Sequence, residues 1–94
     1  MTEPAVMVLD KVKVNGAAAT VYLFTDRLVV RTEDDEQEIC VGEIARVATK
    51  GTVRTGTVTV GLADGGLLAI RGLRLRDARL AHRTLVRLAG GRDH

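Results

Sequence analysis

The chain places a series of short strand-like segments first and one helix-like segment last. In residues 6–14 the apolar side chains at positions 6, 8, 12 and 14 recur with a period of two, which predicts a strand with one buried face. Asn15-Gly16 follows, a pair that supplies the positive φ angles of a tight hairpin turn. Strands are also predicted at 18–24, 27–32, 38–41, 57–62 and 67–71, with a helical turn or bent strand start at 44–47 and a loop or short strand around Val53. This order limits the fold to small β-barrels or sandwiches closed by one helix.

The last segment, residues 75–89, changes to a helical period. Leu80 lies off its apolar stripe and is expected to be partly exposed, and Gly90-Gly91 is expected to end the helix. The apolar side consists of Ala78, Ala81, His82, Leu85, Leu88 and Ala89. The opposite side carries four arginines, Arg76, Arg79, Arg83 and Arg87.

Length and composition indicate one domain over residues 1–94, with short flexible tails at about 1–4 and 90–94. The N-terminus lacks the basic start and long apolar stretch of a secretory signal, and no apolar run approaches the roughly 20 residues of a membrane span. A single cysteine, Cys40, cannot form an internal disulfide. A cytoplasmic location is therefore predicted.

Charge is segregated along the chain, although the net charge is only +2. Residues 1–47 hold five basic and nine acidic side chains, a net charge of −4. Residues 48–94 hold nine basic and three acidic side chains, a net charge of +6. Such asymmetry supports either head-to-tail self-association or an acidic partner, and it is also found on ordinary solvated surfaces.

Three segments resemble those of pleckstrin-homology-like domains, most closely the GRAM and bacterial PH-like branch. Residues 21–30, VYLFTDRLVV, look like that family's strand pair around a turn, and residues 38–47, EICVGEIARV, are similar to its Ile-x-Leu-x-x-Ile-x-x-Val segment. A hairpin at 63–66 before a last strand and helix completes the likeness, which covers about residues 18–88. The resemblance implies a mainly β (α+β) fold, a partly open barrel of six to seven antiparallel strands capped by one C-terminal amphipathic helix. It also implies a non-enzymatic module that binds proteins or lipid headgroups, with bacterial members often assembling as rings through strand edges.

The first hairpin departs from the pattern of the lipid-binding members of that family. Only Lys11 and Lys13 precede the turn, and residues 17–20, AAAT, follow where basic residues would be expected. The predicted helix also lacks the tryptophan typical of eukaryotic PH domains. The first departure argues against headgroup binding, and the second argues against assignment to the eukaryotic branch. The preference for eleven arginines over three lysines fits a GC-rich bacterium or its phage.

No arrangement of residues predicts catalysis, a metal or a cofactor. Cys40 lies in an alternating strand, where a lone cysteine is expected to be a small core residue. His82 is expected to be packed or at the boundary of the core, and His94 is terminal, so no metal-ligand spacing emerges. The acidic run 33–38 fits a solvated hairpin tip or, alternatively, a weak calcium site.

The row of four arginines on the helix is the strongest candidate for a binding site. Guanidinium groups suit bidentate contact with carboxylates or phosphates, although the outer face of any such helix has to be polar. The first hypothesis is a module that binds a protein partner or itself through strand edges and the residues Arg76, Arg79, Arg83 and Arg87. The alternative is peripheral binding to anionic membrane or nucleic acid through the same arginines. An enzyme is the third class.

Overall fold

The computed structural model describes residues 4–51 and 54–89. In this part of the chain seven antiparallel strands form one curved sheet, a half-barrel closed by a C-terminal helix. The strands are β1 (Met7–Val14), β2 (Ala17–Leu23), β3 (Arg27–Thr32), β4 (Glu36–Cys40), β5 (Ile44–Gly51), β6 (Thr55–Leu62) and β7 (Leu67–Arg74), and the helix is α1 (Leu75–Leu88). This confirms the predicted mainly β fold. Val53 and residues 90–94, which carry the predicted connecting segment and C-terminal tail, lie outside the described residues.

The order of strands across the sheet is β4-β3-β2-β1-β7-β6-β5. Consecutive strands are neighbours except for β4 and β5, and β1 also pairs with β7 and so joins the two halves of the sheet. The strands β4 and β5, which are consecutive in the chain, therefore lie at opposite ends of the sheet. A single 3-10 turn, Val41–Glu43, connects them. Residues 44–47, predicted as a helical turn or bent strand start, are the beginning of β5 and contain a register shift between Ile44 and Arg46.

The core lies between the concave face of the sheet and the apolar face of α1. Val21, Val58 and Ile70 in the strands and Ala78 and Ala81 in the helix have no measurable exposure. α1 packs against β5, β6 and β7. The predicted amphipathic helix is confirmed, with Leu85 buried and Leu80 48% exposed.

The expected alternation in the first strand is wrong for its first half. Val12 and Val14 are buried, but Val6 and Val8 are 52% and 50% exposed, and Leu9 is buried instead. The cause is a β-bulge between Leu9 and Val12, which shifts the pairing register with β2. Because the side-chain period of a strand is two, one extra residue moves all preceding side chains to the other face.

Lys11 provides the backbone conformation of this bulge, with a φ of 53°. The carboxylate of Asp10 holds it, since Asp10 Oδ1 accepts hydrogen bonds from the Lys11 N–H at 2.9 Å and from the Thr20 hydroxyl at 3.1 Å. Asp10 and Lys11 together lie opposite Thr20, because Leu9 pairs with Val21 and Val12 pairs with Ala19. The bulge is therefore fixed by side chains of both strands.

The expectation that Cys40 is a core residue is also wrong, because Cys40 is exposed. Its neighbours Ile39 and Val41 point to the core and are 2% and 8% exposed. Strand alternation then directs Cys40 to the opposite face.

Candidate interaction surfaces

The outer side of α1 carries the four arginines that the sequence predicted as a binding site. Arg76, Arg79, Arg83 and Arg87, here called the arginine face, are all exposed. Within residues 4–51 and 54–89 none of the four forms an ion pair with a carboxylate. Their guanidinium groups are therefore available to a ligand, while Ala78, Ala81 and Leu85 hold the other side of the helix in the core.

Leu80 lies on the same side of the helix as the arginine face. It follows Arg76 by four residues and precedes Arg83 by three, and residues at these spacings are neighbours on a helix surface, about 5–6 Å apart between Cβ atoms. The outer side of α1 is thus an exposed leucine with arginines next to it.

Two of the arginines also border a cavity between α1 and β5. This cavity has a volume of about 420 Å³ and is lined by Thr49, Arg79, His82, Arg83 and Val86. The Thr49 hydroxyl lies 2.6 Å from His82 Nδ1 and ties the helix to the strand. His82 is half-buried, as expected for a residue at the boundary of the core.

A second surface, which the sequence pattern did not predict, lies on the convex face of the first four strands. We call the four residues Val8, Tyr22, Phe24 and Val29 the aromatic face. Val8 pairs with Tyr22 across β1 and β2, and Tyr22 pairs with Val29 across β2 and β3, so these three side chains form one row. Phe24 comes two residues after Tyr22, on the same face.

The aromatic face forms the apolar floor of an open cavity with a volume of about 430 Å³. Its rim consists of Ala5 and of the charged residues Arg27, Arg31, Glu36 and Glu38. Both aromatic side chains of the protein therefore lie on the convex face of the sheet and not in the core.

The two rim arginines lie over the aromatic rings, where a cation is attracted to the ring face. The Arg27 guanidinium carbon lies 4.2 Å from the Phe24 ring centroid, and that of Arg31 lies 5.4 Å from the Tyr22 centroid. Each arginine also has a carboxylate partner, Asp26 at 2.7 Å for Arg27 and Glu36 at 3.0 Å for Arg31. The hydrogen bond to Glu36 raises the pKa of Arg31 above its ordinary value.

Glu38 is the rim residue whose charge is not balanced. Among the described residues it has no hydrogen-bond or ion-pair partner. The other carboxylate of the rim is Glu36, also on β4, which pairs with Arg31. The exposed hairpin tip Glu33–Asp35 lies outside this cavity, and Glu33 lines a separate one together with Lys11 and Lys13. The rim of the aromatic face is therefore acidic on its β4 side.

The signal that would have revealed the aromatic face is the bulge in β1. Residues 6–9, VMVL, are all apolar, so the pattern alone does not decide which of them face the core. The polar pair Asp10-Lys11, which interrupts the alternation, marks the change of phase.

The described residues contain no group of three histidine, cysteine, aspartate or glutamate side chains placed to hold a metal ion. In the same part of the chain, α1 falls short of the length and apolar character that a membrane crossing requires.

Comparison with known proteins identifies the fold but not a family. No protein-family model and no curated protein sequence matches the chain. Among solved structures, a chain from the "Structure of the Spt16D Pob3N heterodimer" is similar, with a TM-score of 0.75 and 10% sequence identity. The match covers 94% of this chain and 53% of that one, so this chain spans about half the length of the similar structure. Together with the curved seven-stranded sheet and its closing helix, this likeness shows that the chain has a pleckstrin-homology-like fold.

Proposed function

We propose that this chain is a non-enzymatic interaction module that binds another protein chain, in the first instance a second copy of itself. The observation that carries the proposal is that, within residues 4–51 and 54–89, the sheet ends on β4 and β5, each of which pairs with a neighbour on one side only. An edge strand presents backbone N–H and C=O groups that a strand from another chain can satisfy.

The backbone of β4 is oriented for such pairing. The Val41 N–H donates to the Asp26 carbonyl at 3.0 Å, and the Thr32 N–H donates to the Asp35 carbonyl at 2.8 Å. Since hydrogen-bonded and non-hydrogen-bonded pairs alternate in an antiparallel ladder, Glu38 and Cys40 direct their backbone groups away from β3.

The two ends of the sheet differ in charge, which supports head-to-tail association. Glu36 and Glu38 are exposed on β4, and Arg46 and Lys50 are exposed on β5. The arginine face lies on the helix that packs beside β5, and the acidic tip at Asp34-Asp35 lies beside β4. One copy therefore offers an acidic end where the next offers a basic one.

Size-exclusion chromatography with light scattering, over a range of protein and salt concentrations, tests self-association. We expect oligomers that dissociate as salt rises, because contacts between exposed charges are screened. A monomer at every concentration would remove self-association from the proposal and leave only binding to a different protein.

A proline at the end of β4 tests the strand edge. Cys40 has a φ of −69°, close to the value that proline imposes, and its N–H points away from β3. Cys40→Pro should weaken self-association roughly tenfold, the effect of losing about 1.4 kcal/mol. It should at the same time raise the free energy of unfolding by about 0.4–1 kcal/mol, because it restricts the unfolded chain.

Cys40→Ser is the matched control for this variant, since it removes the thiol and keeps the backbone donor. We expect it to behave as the unsubstituted protein in both measurements. If Cys40→Pro is folded and stable but associates as strongly as Cys40→Ser, the edge of β4 is not part of the contact.

The alternative, binding to anionic membrane or nucleic acid through Arg76, Arg79, Arg83 and Arg87, is tested separately. The observation that disfavours a single-strand nucleic-acid binder is that Tyr22 and Phe24 line one cavity, whereas Arg79 and Arg83 line another and no arginine of the helix lines the first. We expect no pelleting with vesicles of anionic lipid and no salt-dependent binding of single-stranded DNA. The GRAM or bacterial branch, the bacterial or phage origin, the cytoplasmic location and the single domain over residues 1–94 stay predictions.

A further inference from the structure

The aromatic face exposes apolar side chains that the core does not require. Val8 is 50% exposed, and Tyr22 and Phe24 are half-buried, although all three could have been polar on a convex sheet face. Apolar residues grouped on a surface with a polar rim are typical of interaction sites. Aromatic residues are also enriched at the centres of protein interfaces.

The outer side of α1 has the opposite character. Leu80 is a single exposed apolar side chain, 48% exposed, with Arg76, Arg83 and Arg87 beside it. The aromatic face is thus an apolar cavity with a carboxylate on one side that has no partner among the described residues. The outer side of α1 is an exposed leucine next to arginines that form no ion pair within the same residues.

We propose that the aromatic face of one copy binds α1 of a second copy, with Leu80 in the cavity above Val8, Tyr22, Phe24 and Val29. This inference rests on the self-association proposed above, and it names the surface that receives the arginine face. Arg83 or Arg76 then pairs with Glu38, the carboxylate without a partner within its own described chain.

Distances on the two surfaces are compatible with this contact. Val29 pairs with Glu38 across β3 and β4, so the apolar floor and the acidic rim are one strand spacing apart, about 4.7–4.9 Å. On the helix, Leu80 and its neighbouring arginines are separated by about 5–6 Å. A helix that places Leu80 over Val29 therefore brings an arginine to Glu38.

The charges of the remaining rim residues do not oppose this contact. Arg27 and Arg31 lie over the rings and are each paired with a carboxylate of their own chain, Asp26 and Glu36. The carboxylate that remains for an incoming arginine is Glu38, which has no partner among the described residues. Because the two surfaces are different, each copy can bind one neighbour by its helix and another by its aromatic face.

The first test compares two exposed leucines in sedimentation equilibrium. Leu80→Glu should raise the dissociation constant of self-association at least roughly tenfold, as expected when an anchor residue at the centre of an interface is lost. Leu67→Glu is the matched control, because Leu67 is 67% exposed on β7 and lies outside both cavities. It should change the dissociation constant less than twofold.

The second test detects the contact directly by crosslinking, in chains that carry Cys40→Ser. One preparation carries Val8→Cys, another carries Leu80→Cys with a larger tag, and a short bifunctional maleimide is added to the mixture. We expect a crosslinked pair of tagged and untagged chains. The same mixture with Leu67→Cys in place of Leu80→Cys should give none.

The outcomes separate this inference from the proposed function. An oligomer that survives Leu80→Glu, or that gives no crosslink between positions 8 and 80, overturns the inference and leaves association through the strand edges. A protein that is monomeric under all conditions overturns the inference and the self-association on which it rests, and leaves binding to a different protein as the proposed function.

Discussion

The two halves of the sheet differ in how many of their faces carry grouped apolar side chains. In the second half, β5 to β7, the concave face packs against α1, and the convex face carries residues such as Thr57, Thr59 and Arg46. In the first half, β1 to β4, the concave face forms the core and the convex face carries the aromatic face as well. The difference shows that folding accounts for one face of each half, and that the apolar convex face of the first half needs another explanation.

The two halves also differ in how closely a helix approaches them. In the second half, a Cβ atom built on Gly56 would lie 2.5 Å from the Cβ of Ala78, and one on Gly51 would clash with Leu75. Glycine at both positions therefore lets α1 lie directly on the strands. The convex face of the first half has no such covering among the described residues.

The strongest test of the covered half compares two leucines of the same helix. Leu85 is 1% exposed in the core, so Leu85→Ala should lower the free energy of unfolding by about 2–5 kcal/mol. Leu80→Ala should change it by less than about 0.5 kcal/mol, since Leu80 is exposed and both residues favour helix. Urea denaturation of both variants, at concentrations where the protein is monomeric, measures the difference.

If Leu85→Ala and Leu80→Ala lower the free energy of unfolding equally, α1 does not present one face to the core. The arginine face would then not be an outer surface, and the comparison of the two halves would fail.

A smaller loss of stability is expected when a methyl group is inserted between α1 and the sheet. Gly56→Ala should lower the free energy of unfolding by about 1–3 kcal/mol, because the new methyl group meets the buried Cβ of Ala78 and the helix has to move. The control is Gly42→Ala, where a Cβ meets no atom within 4 Å. That variant should be neutral or stabilised by up to about 1 kcal/mol. Thermal and urea unfolding should show that the free energies of unfolding of the two variants change in opposite directions or by clearly different amounts.

Much of the fold could be predicted from local signals. Asn15 and Gly16 adopt φ angles of 50° and 90°, as the hairpin required, and the helical period correctly separated Leu85 from Leu80. These signals work because turns and amphipathic helices depend on residues that are close in the chain.

The predictions of which side chains face the core were wrong where several apolar residues are consecutive. In residues 6–9 and again in residues 39–41, the sequence does not say which side chain faces the core, because every choice buries an apolar group. Val8 and Cys40 were assigned to the wrong face for this reason. The aromatic face depends on the first of these choices, to which only the interruption by Asp10-Lys11 points. The arginine face follows from spacing alone, and its role in binding stays a prediction.

The smallest expected effect concerns the bulge that turns Val6 and Val8 outward. Lys11 has a φ of 53°, a conformation that costs a residue with a side chain roughly 1–2 kcal/mol and costs glycine almost nothing. Lys11→Gly should therefore raise the free energy of unfolding by up to about 1 kcal/mol, once the greater freedom of glycine in the unfolded chain is subtracted. Lys13→Gly, two residues further along the same strand, should lower it by about 0.5–1 kcal/mol. If urea denaturation shows changes of opposite sign in the free energy of unfolding for the two variants, the bulge is at Lys11. An equal decrease in both variants would mean that β1 alternates without interruption. Val6 and Val8 would then face the core together with Val12 and Val14, and the convex face of the first half would lose the apolar floor that distinguishes it from the second.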